Sequence, residues 1–375
     1  MIVTRSHKKG RVFLSTSCNK ILHFLLYIIK DFPYPRCAMK TTGFLFSFLL
    51  ISALAQAQYW QVLPTHTDDK GVSAYFSQDD KKIFYLAPNP NGVKNVMAYE
   101  LKGAITSEVT KYESAVLRAI PVLSRPNLIV MRASESGDIH LYRIKNDGSE
   151  ELDITPSAAG INHELLGSSY NGKYIYYSRI GKKTDYFRYD ASQNISETIL
   201  PNDKDFKLLA WSRDQQRILL QEPKTSEVLI YTIESTERNQ LYMPVSGKKV
   251  ATACFSADNK QLLVLESGDG KSELRSVNMS SPSTIGEQVN PIDDGSPIRY
   301  DVSTNGKFIF VYRPGLVTVK DAASFADVFS ASDIIEVISN AKETLLLLTK
   351  ESAGVKSIQL YDIAKKTTTD IVTIK

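Results

Sequence analysis

Three histidines beyond the first sixty residues, His66, His140 and His163, are the side chains best suited to holding a metal or moving a proton. Metal ligation needs paired ligands at short spacing or strands that converge. These three lie far apart in the chain, so they read as unrelated and no metal site is expected. Gly270-Lys271-Ser272 has the ending of a phosphate-binding loop, but the glycine required at its start falls on Leu265, inside an apolar run. The backbone cradle is therefore missing, and the triplet reads as a hairpin tip. Asp68-Asp69, Asp79-Asp80 and Asp293-Asp294-Gly295 offer carboxylates without the alternation of a calcium loop, and read as solvated turns. No G-x-S-x-G elbow occurs, and the three cysteines have no C-x-x-C spacing for zinc or redox chemistry. No residue earns a catalytic label, no cofactor is implied, and no ligand-binding residue is singled out.

At 43% hydrophobic and 23% charged residues the composition is that of a folded protein and excludes a disordered one. Residues 1 to 57 hold eight of the 45 Lys+Arg and one of the 41 Asp+Glu, which leaves 37 against 40 in residues 58 to 375. That slightly acidic remainder carries no basic footprint for nucleic acid. From Met39 the chain reads Lys40, an apolar stretch from Gly43 to Leu54, and Ala55-Gln56-Ala57 before Gln58, the order of a secretory signal cleaved between Ala57 and Gln58. The apolar stretch has 12 residues, and about 20 are needed to span a bilayer. A periplasmic or secreted protein without stable membrane insertion is expected. Residues 1 to 38 resemble neither a domain nor a signal of normal order, and a start codon assigned too early accounts for them. The signal then covers 39 to 57 and the mature chain 58 to 375, with Cys254 its only cysteine, which suits an oxidising compartment.

The elements that must position any site come from a repeat. A unit of an apolar residue, Ser, x, Asp or Asn, a glycine-like residue and Lys precedes an apolar run. It appears as Phe76-Ser77-Gln78-Asp79-Asp80-Lys81, Ser168-Ser169-Tyr170-Asn171-Gly172-Lys173, Trp211-Ser212-Arg213-Asp214-Gln215-Gln216, Phe255-Ser256-Ala257-Asp258-Asn259-Lys260 and Val302-Ser303-Thr304-Asn305-Gly306-Lys307. Weaker copies surround Ser124 and Ser339, and the serine anchors are spaced 47, 45, 43, 44, 47 and 36 residues apart. That is the period of a propeller blade. The Asp or Asn is expected to cap a tight turn. The next position, filled by Asp80, Asn127, Gly172, Asn259 or Gly306, is expected to take positive φ, with Gln215 and Lys342 as exceptions.

The runs after the turn, such as Ile83 to Leu86 and Phe308 to Tyr312, are apolar on both faces, as in strands covered on both sides. A third strand ending in an aromatic and a weaker outer strand follow. Four strands in each of seven units predict an all-β, seven-bladed β-propeller of four-stranded blades. Tyr59 to Leu63 reads as an additional strand, so either terminus could close the ring. Tyrosines 85, 99, 142, 176, 189, 231 and 361 are expected to pack between blades.

Trp211-Ser212, Phe255-Ser256-Ala257-Asp258 and Asn305-Gly306-Lys307 resemble the TolB-like propeller repeat, Trp-Ser-Pro-Asp-Gly-Lys, and the propeller of the prolyl oligopeptidase and dipeptidyl peptidase IV family. The match covers nearly all of residues 58 to 375, although the Pro is absent from every copy. The resemblance implies the propeller fold and, from TolB-like proteins, periplasmic binding of other envelope proteins. The hydrolase domain of the peptidases is not expected. Propellers resembling oligogalacturonate lyase hold a metal with a histidine cluster on the ring axis, which these histidines do not match. The expected function is binding of an envelope protein or peptide without catalysis. The alternative is a propeller that binds or cleaves carbohydrate, with its site at the channel mouth.

Overall fold

The computed structural model describes residues 74 to 374, apart from 123–124, 158, 170–172, 182–183, 201–205, 213–215, 245, 257, 280–288, 294 and 304. Ala57, Gln58, the leader, Tyr59 to Leu63, His66, Asp68, Asp69, Ser124, Asn171, Gly172, Asp214, Gln215 and Asp294 lie outside the described residues.

Seven antiparallel four-stranded sheets form a ring, each built from four consecutive strands. Blade one comprises β1 (Tyr75–Phe76), β2 (Lys82–Pro88), β3 (Lys94–Glu100) and β4 (Ile105–Glu108). Blade two comprises β5 (Val116–Val122), β6 (Asn127–Ala133), β7 (Ile139–Lys145) and β8 (Leu152–Asp153). Blade three has β9 (Asn162–Ser168), β10 (Tyr174–Ile180), β11 (Thr184–Asp190) and β12 (Ile195–Leu200). Blade four has β13 (Lys207–Trp211), β14 (Arg217–Gln221), β15 (Val228–Thr232) and β16 (Arg238–Tyr242). Blade five runs through β17 (Lys249–Phe255), β18 (Gln261–Gly268), β19 (Lys271–Asn278) and β20 (Val289–Asp293). Blade six runs through β21 (Arg299–Val302), β22 (Phe308–Arg313), β23 (Leu316–Asp321) and β24 (Asp327–Ser332). Blade seven closes the series with β25 (Ile334–Ser339), β26 (Leu345–Ser352), β27 (Val355–Asp362) and β28 (Thr367–Ile374). The expected propeller is the observed fold.

Asp79 and Asp258 cap their turns as expected, accepting the Lys81 and Lys260 N–H at 3.3 and 3.0 Å, and the repeated serine adds a second tie that the sequence reading did not assign. The hydroxyls of Ser77, Ser169, Ser212, Ser256 and Ser303 accept the backbone N–H five residues on, at 2.8 to 2.9 Å. The serine backbone N–H donates to the carbonyl of the same residue. Asp79 and Asp258 hold the hydroxyl in place by accepting its proton at 2.8 and 2.7 Å. In blade six Glu343 of blade seven takes that part, accepting from Ser303 Oγ and from the Asn305 N–H. Burial pushes the Asp79 carboxyl up, but Ser77 and Lys81 more than offset it and hold it below the usual range.

Asp80, Asn259 and Gly306 take positive φ as expected, at 57°, 57° and 75°. Two copies depart from expectation. Asn127 begins β6 opposite Val122 and has no positive φ. In blade seven the anchor is Asn340, one residue beyond Ser339. Its Oδ1 accepts the Leu345 N–H at 3.0 Å in place of a hydroxyl, and Glu343 rather than Lys342 takes positive φ, 53°.

The second strands are buried on both faces, with Ile83, Leu128, Ile175, Leu220, Val264, Val311 and Leu346 all inaccessible to solvent. Blade packs on blade through aromatic contacts: Tyr176 stacks on Trp211 at 4.2 Å and Tyr361 on Phe329 at 4.1 Å. Among the described residues no strand crosses from one terminus into the other's blade. The seam between blades seven and one is held by packing of Ala74, Tyr75 and Phe76 in one core with Ile338, Leu347 and Ile358. Asn340 Nδ2 donates to Asp80 Oδ2 across it at 3.1 Å.

Two outcomes follow from these turns. Ser212→Ala leaves the Arg217 amide without its acceptor in a closed turn and is expected to destabilise folding by about 1–3 kcal/mol in chemical denaturation. Burial at the seam raises the Asp80 carboxyl above its ordinary value. Its ionised form is therefore disfavoured on folding, and wild-type stability falls as pH rises through the shifted value. Asp80→Asn, which tolerates positive φ and keeps an acceptor for Asn340, is expected to gain melting temperature over the wild type from about pH 3 to pH 7.

Candidate functional site

Blade two breaks the regularity of the ring. Its outer strand β8 has two residues, whereas β4 has four and β28 eight. Ile154 N–H still bonds the Leu141 carbonyl at 2.9 Å, but the next partner of β7 is a side chain, Thr155 Oγ1, which accepts the Leu141 N–H at 2.9 Å. Pro156 then ends the edge, since it has no N–H and disfavours regular pairing. With β8 cut short, part of the blade three face stays uncovered. Leu152 to Ser157 on one side and His163, Tyr177, Arg179, Phe187, Tyr189, Asn194 and Ser196 on the other line a cavity of about 390 Å³.

Each side chain is placed by register. Tyr177 and Phe187 are directly paired on β10 and β11 and stack with centroids 5.2 Å apart at 10°. Two residues nearer the hairpin, Arg179 pairs with Asp185, to which it bonds at 2.7 Å, and its guanidinium lies 5.0 Å from the Phe187 centroid. His163 is the second residue of β9 and is buried. Its Nδ1 donates to the Ile139 carbonyl at 3.2 Å, which leaves Nε2 as the lone-pair nitrogen. Burial pushes its pKa below the ordinary histidine range, so it is a neutral imidazole at neutral pH.

Behind it His140, second residue of β7, donates from Nδ1 to Asp153 Oδ2 at 2.7 Å, and Asp153 Oδ1 accepts the Thr155 N–H at 2.9 Å. His140 Nε2 lies 3.4 Å from Ser157 Oγ. This order of carboxylate, imidazole and hydroxyl is that of a proton relay. The last step is long for an O–H···N bond, so the defined element is the His140–Asp153 pair. The two imidazoles meet edge to face with centroids 5.7 Å apart. Asn162 Oδ1, accepting the Ile139 N–H at 2.8 Å, and Asp138 Oδ2, accepting the Gly160 N–H at 3.0 Å, tie the start of blade three to the start of β7.

This corrects the reading of unrelated histidines for His140 and His163, His66 lying outside the described residues. His140 and His163 come together because β7 and β9 belong to neighbouring blades that pack at the same height. Asp153 and Tyr177, which sequence reasoning passed over, complete the group. The only signal was a shared second position in the two strands. Among the described residues no group of three or more His, Cys, Asp or Glu side chains is arranged to hold a metal ion. Tyr189, expected between blades, is buried yet also lines this cavity. Gly270 and Lys271 do sit at a hairpin tip, where Asp269 and Gly270 take φ of 53° and 73°. Asp293, expected in a solvated turn, is instead buried and ion-paired with Arg313 and Lys320.

Larger grooves of about 440 and 630 Å³ lie between blades three and four and between four and five. Arg188 in the first is ion-paired with Glu197 beside it, and neither groove contains a buried imidazole.

Neither a protein-family model nor a curated protein sequence matches this chain. Solved structures do. Oligogalacturonate lyase from Vibrio parahaemolyticus aligns with a TM-score of 0.61 at 10% identity, over 78% of this chain and 89% of that one. A puromycin-hydrolysing peptidase from Mycobacterium tuberculosis aligns with a TM-score of 0.59 at 10% identity, over 84% of this chain but only 56% of the peptidase. TolB from Acinetobacter baumannii aligns at 0.47 and 13% identity, over 74% and 75% of the two chains. At these identities the likeness is one of fold. The class is the seven-bladed β-propeller, and the TolB-like propeller implied by the repeat fits it.

The His163 imidazole is expected to titrate below the ordinary histidine value of 6.5 in a pH series of side-chain NMR spectra. Because its folded pKa is depressed, its contribution to stability is lost as pH falls through the ordinary range toward the lowered value, and a His163→Gln variant should flatten that part of the acid denaturation curve.

Proposed function

We propose that this chain is an exported propeller that works by binding a protein or peptide partner in the cell envelope, without catalysis. Strand direction alternates, so the serine turns lie on one face of the ring, and the hairpins between second and third strands lie on the other. The observation that carries the reading is on the hairpin face. Leu117, Ile180, Met243, Ile298, Leu316 and Val355, 36% to 64% exposed, all sit at that end of their strands or in the adjoining loops. They account for most of the exposed large apolar residues among those described. Exposed apolar side chains presented by successive blades on one face offer contacts for a partner. Arg179 and His163 lie toward the same end. Export rests on the leader from Met39 to Ala57.

A second reading, carbohydrate binding, draws on the stacked Tyr177–Phe187 wall, since a flat aromatic surface also packs against sugar rings. The fold likeness to an oligogalacturonate lyase is in keeping with it.

Affinity capture from an envelope extract, with wild type and an Ile180→Glu, Leu316→Glu double variant compared side by side, separates these readings. A stoichiometric partner retained by the wild type and lost by the folded variant is the expected result. Equal recovery with both, or none with either, overturns the binding face. A melting-temperature rise with neutral or acidic oligosaccharides would then favour the second reading.

A further inference from the structure

The cavity between blades two and three has a donor and acceptor pattern that the binding reading leaves unspecified. His163 is 5% exposed and lines the cavity. Its Nδ1–H is committed to the Ile139 carbonyl, and Nε2 has no hydrogen-bond partner among the described residues. Nε2 is thus an acceptor open to the cavity, where a donor on a ligand can take the place of water. Arg179 stands at the rim with its side chain 44% exposed. One of its nitrogens goes to Asp185, and the fork retains N–H groups for a second carboxylate. His163 and Arg179 are direct partners across β9 and β10, and the next row of the same sheet face holds Tyr177 stacked on Phe187, which lines the cavity with aromatic surface and no charge.

A cation, an acceptor in the cavity wall and an aromatic surface select a ligand with a carboxylate, an N–H or O–H nearby and an apolar body. The last residue of a peptide carries all three on one carbon: the α-carboxylate, the amide N–H and the side chain. The volume of about 390 Å³ falls within the range of small-ligand sites and suits one end of a chain rather than a long segment. We propose that this cavity captures the free C-terminus of a peptide or protein ending in an aromatic or aliphatic residue. Arg179 takes the carboxylate, His163 Nε2 accepts the last amide N–H, and Tyr177 and Phe187 pack the side chain. The inference rests on the peptide-binding reading and narrows it to one site and one ligand end.

A uronic acid shares the carboxylate and a neighbouring hydroxyl donor, so the experiment carries an arm for it. The purified protein is titrated by fluorescence polarisation with a labelled short peptide ending in Phe, as the free acid and as the C-terminal amide, and a di-uronate is used as competitor. The free acid is expected to bind about tenfold or more tighter than the amide, the scale of a charge-assisted hydrogen bond. Arg179→Gln, at an exposed pair whose loss leaves the fold intact, should bring the acid down to the level of the amide, and Arg179→Lys should restore part of the difference. Equal binding of acid and amide, binding of neither, or a preference that survives in Arg179→Gln overturns the inference. A di-uronate that displaces the peptide more effectively than the unlabelled peptide does would assign the cavity to acidic sugar instead. If envelope capture depends on Ile180 and Leu316 but is indifferent to Arg179→Gln and to the amide, the binding face stands and this inference alone fails.

Discussion

The double tie between each turn serine and the residue five places on is the interaction on which the rest of the ring depends. The backbone N–H of Ser212 reaches the Arg217 carbonyl while its hydroxyl accepts the Arg217 N–H. One serine thus closes both polar groups of the first residue of a second strand, the N–H with its hydroxyl and the carbonyl with its own backbone N–H. That strand is covered by a neighbouring blade on each face and has no water to satisfy a loose amide. The tie also sets the pairing of first and second strands, and a slip of one residue would reverse which faces carry the apolar side chains. Asn340 achieves the same closure with an amide oxygen. Asp79, Asp258 and Glu343 fix where the hydroxyl points and also accept a backbone N–H of the turn.

With register settled inside each blade, the ring is assembled by packing blade on blade. The seam between the last and first blades is no exception, because it is made of the same apolar contacts, with the Asn340–Asp80 hydrogen bond at the turn face. Each blade keeps its own four consecutive strands, and the outermost strand of blade seven is the C-terminal β28. Its exposed threonines and Asp370 present a polar outer edge, the means by which an edge strand avoids pairing with another chain.

The candidate site exists where this regularity fails. Pro156 stops the outer strand of blade two, and the face that a longer strand would have covered stays open. What lines the opening is then dictated by register on blade three: Tyr177 opposite Phe187 and Arg179 opposite Asp185. The His140–Asp153 pair sits behind, closing its own hydrogen bonds and giving His163 a buried neighbour. Regular blades supply rigid walls, and one truncated strand supplies the space between them.

The architecture was legible in the chain because its determinants are local. Serine, Asp or Asn, the positive-φ residue and the doubly apolar run all fall within about a dozen residues, and repetition makes the pattern visible even though no copy is complete. The same locality explains the errors. Ser339 beside Asn340 and Lys342 beside Glu343 are offset by one position, a difference that hydrogen bonding resolves and composition does not. Asn127 looks like a turn residue but is drawn into a strand by its pairing with Val122. The site was not legible, because His140, Asp153, His163 and Tyr177 come from four strands of two blades. They meet only when those blades pack, and no spacing along the chain encodes that distance. The sequence by itself determined the repeat, the strand order and the apolar faces, since each follows from contacts between near neighbours. Only the tertiary structure decided which polar residues share a cavity, because that depends on where one blade's outer strand ends against the face of the next.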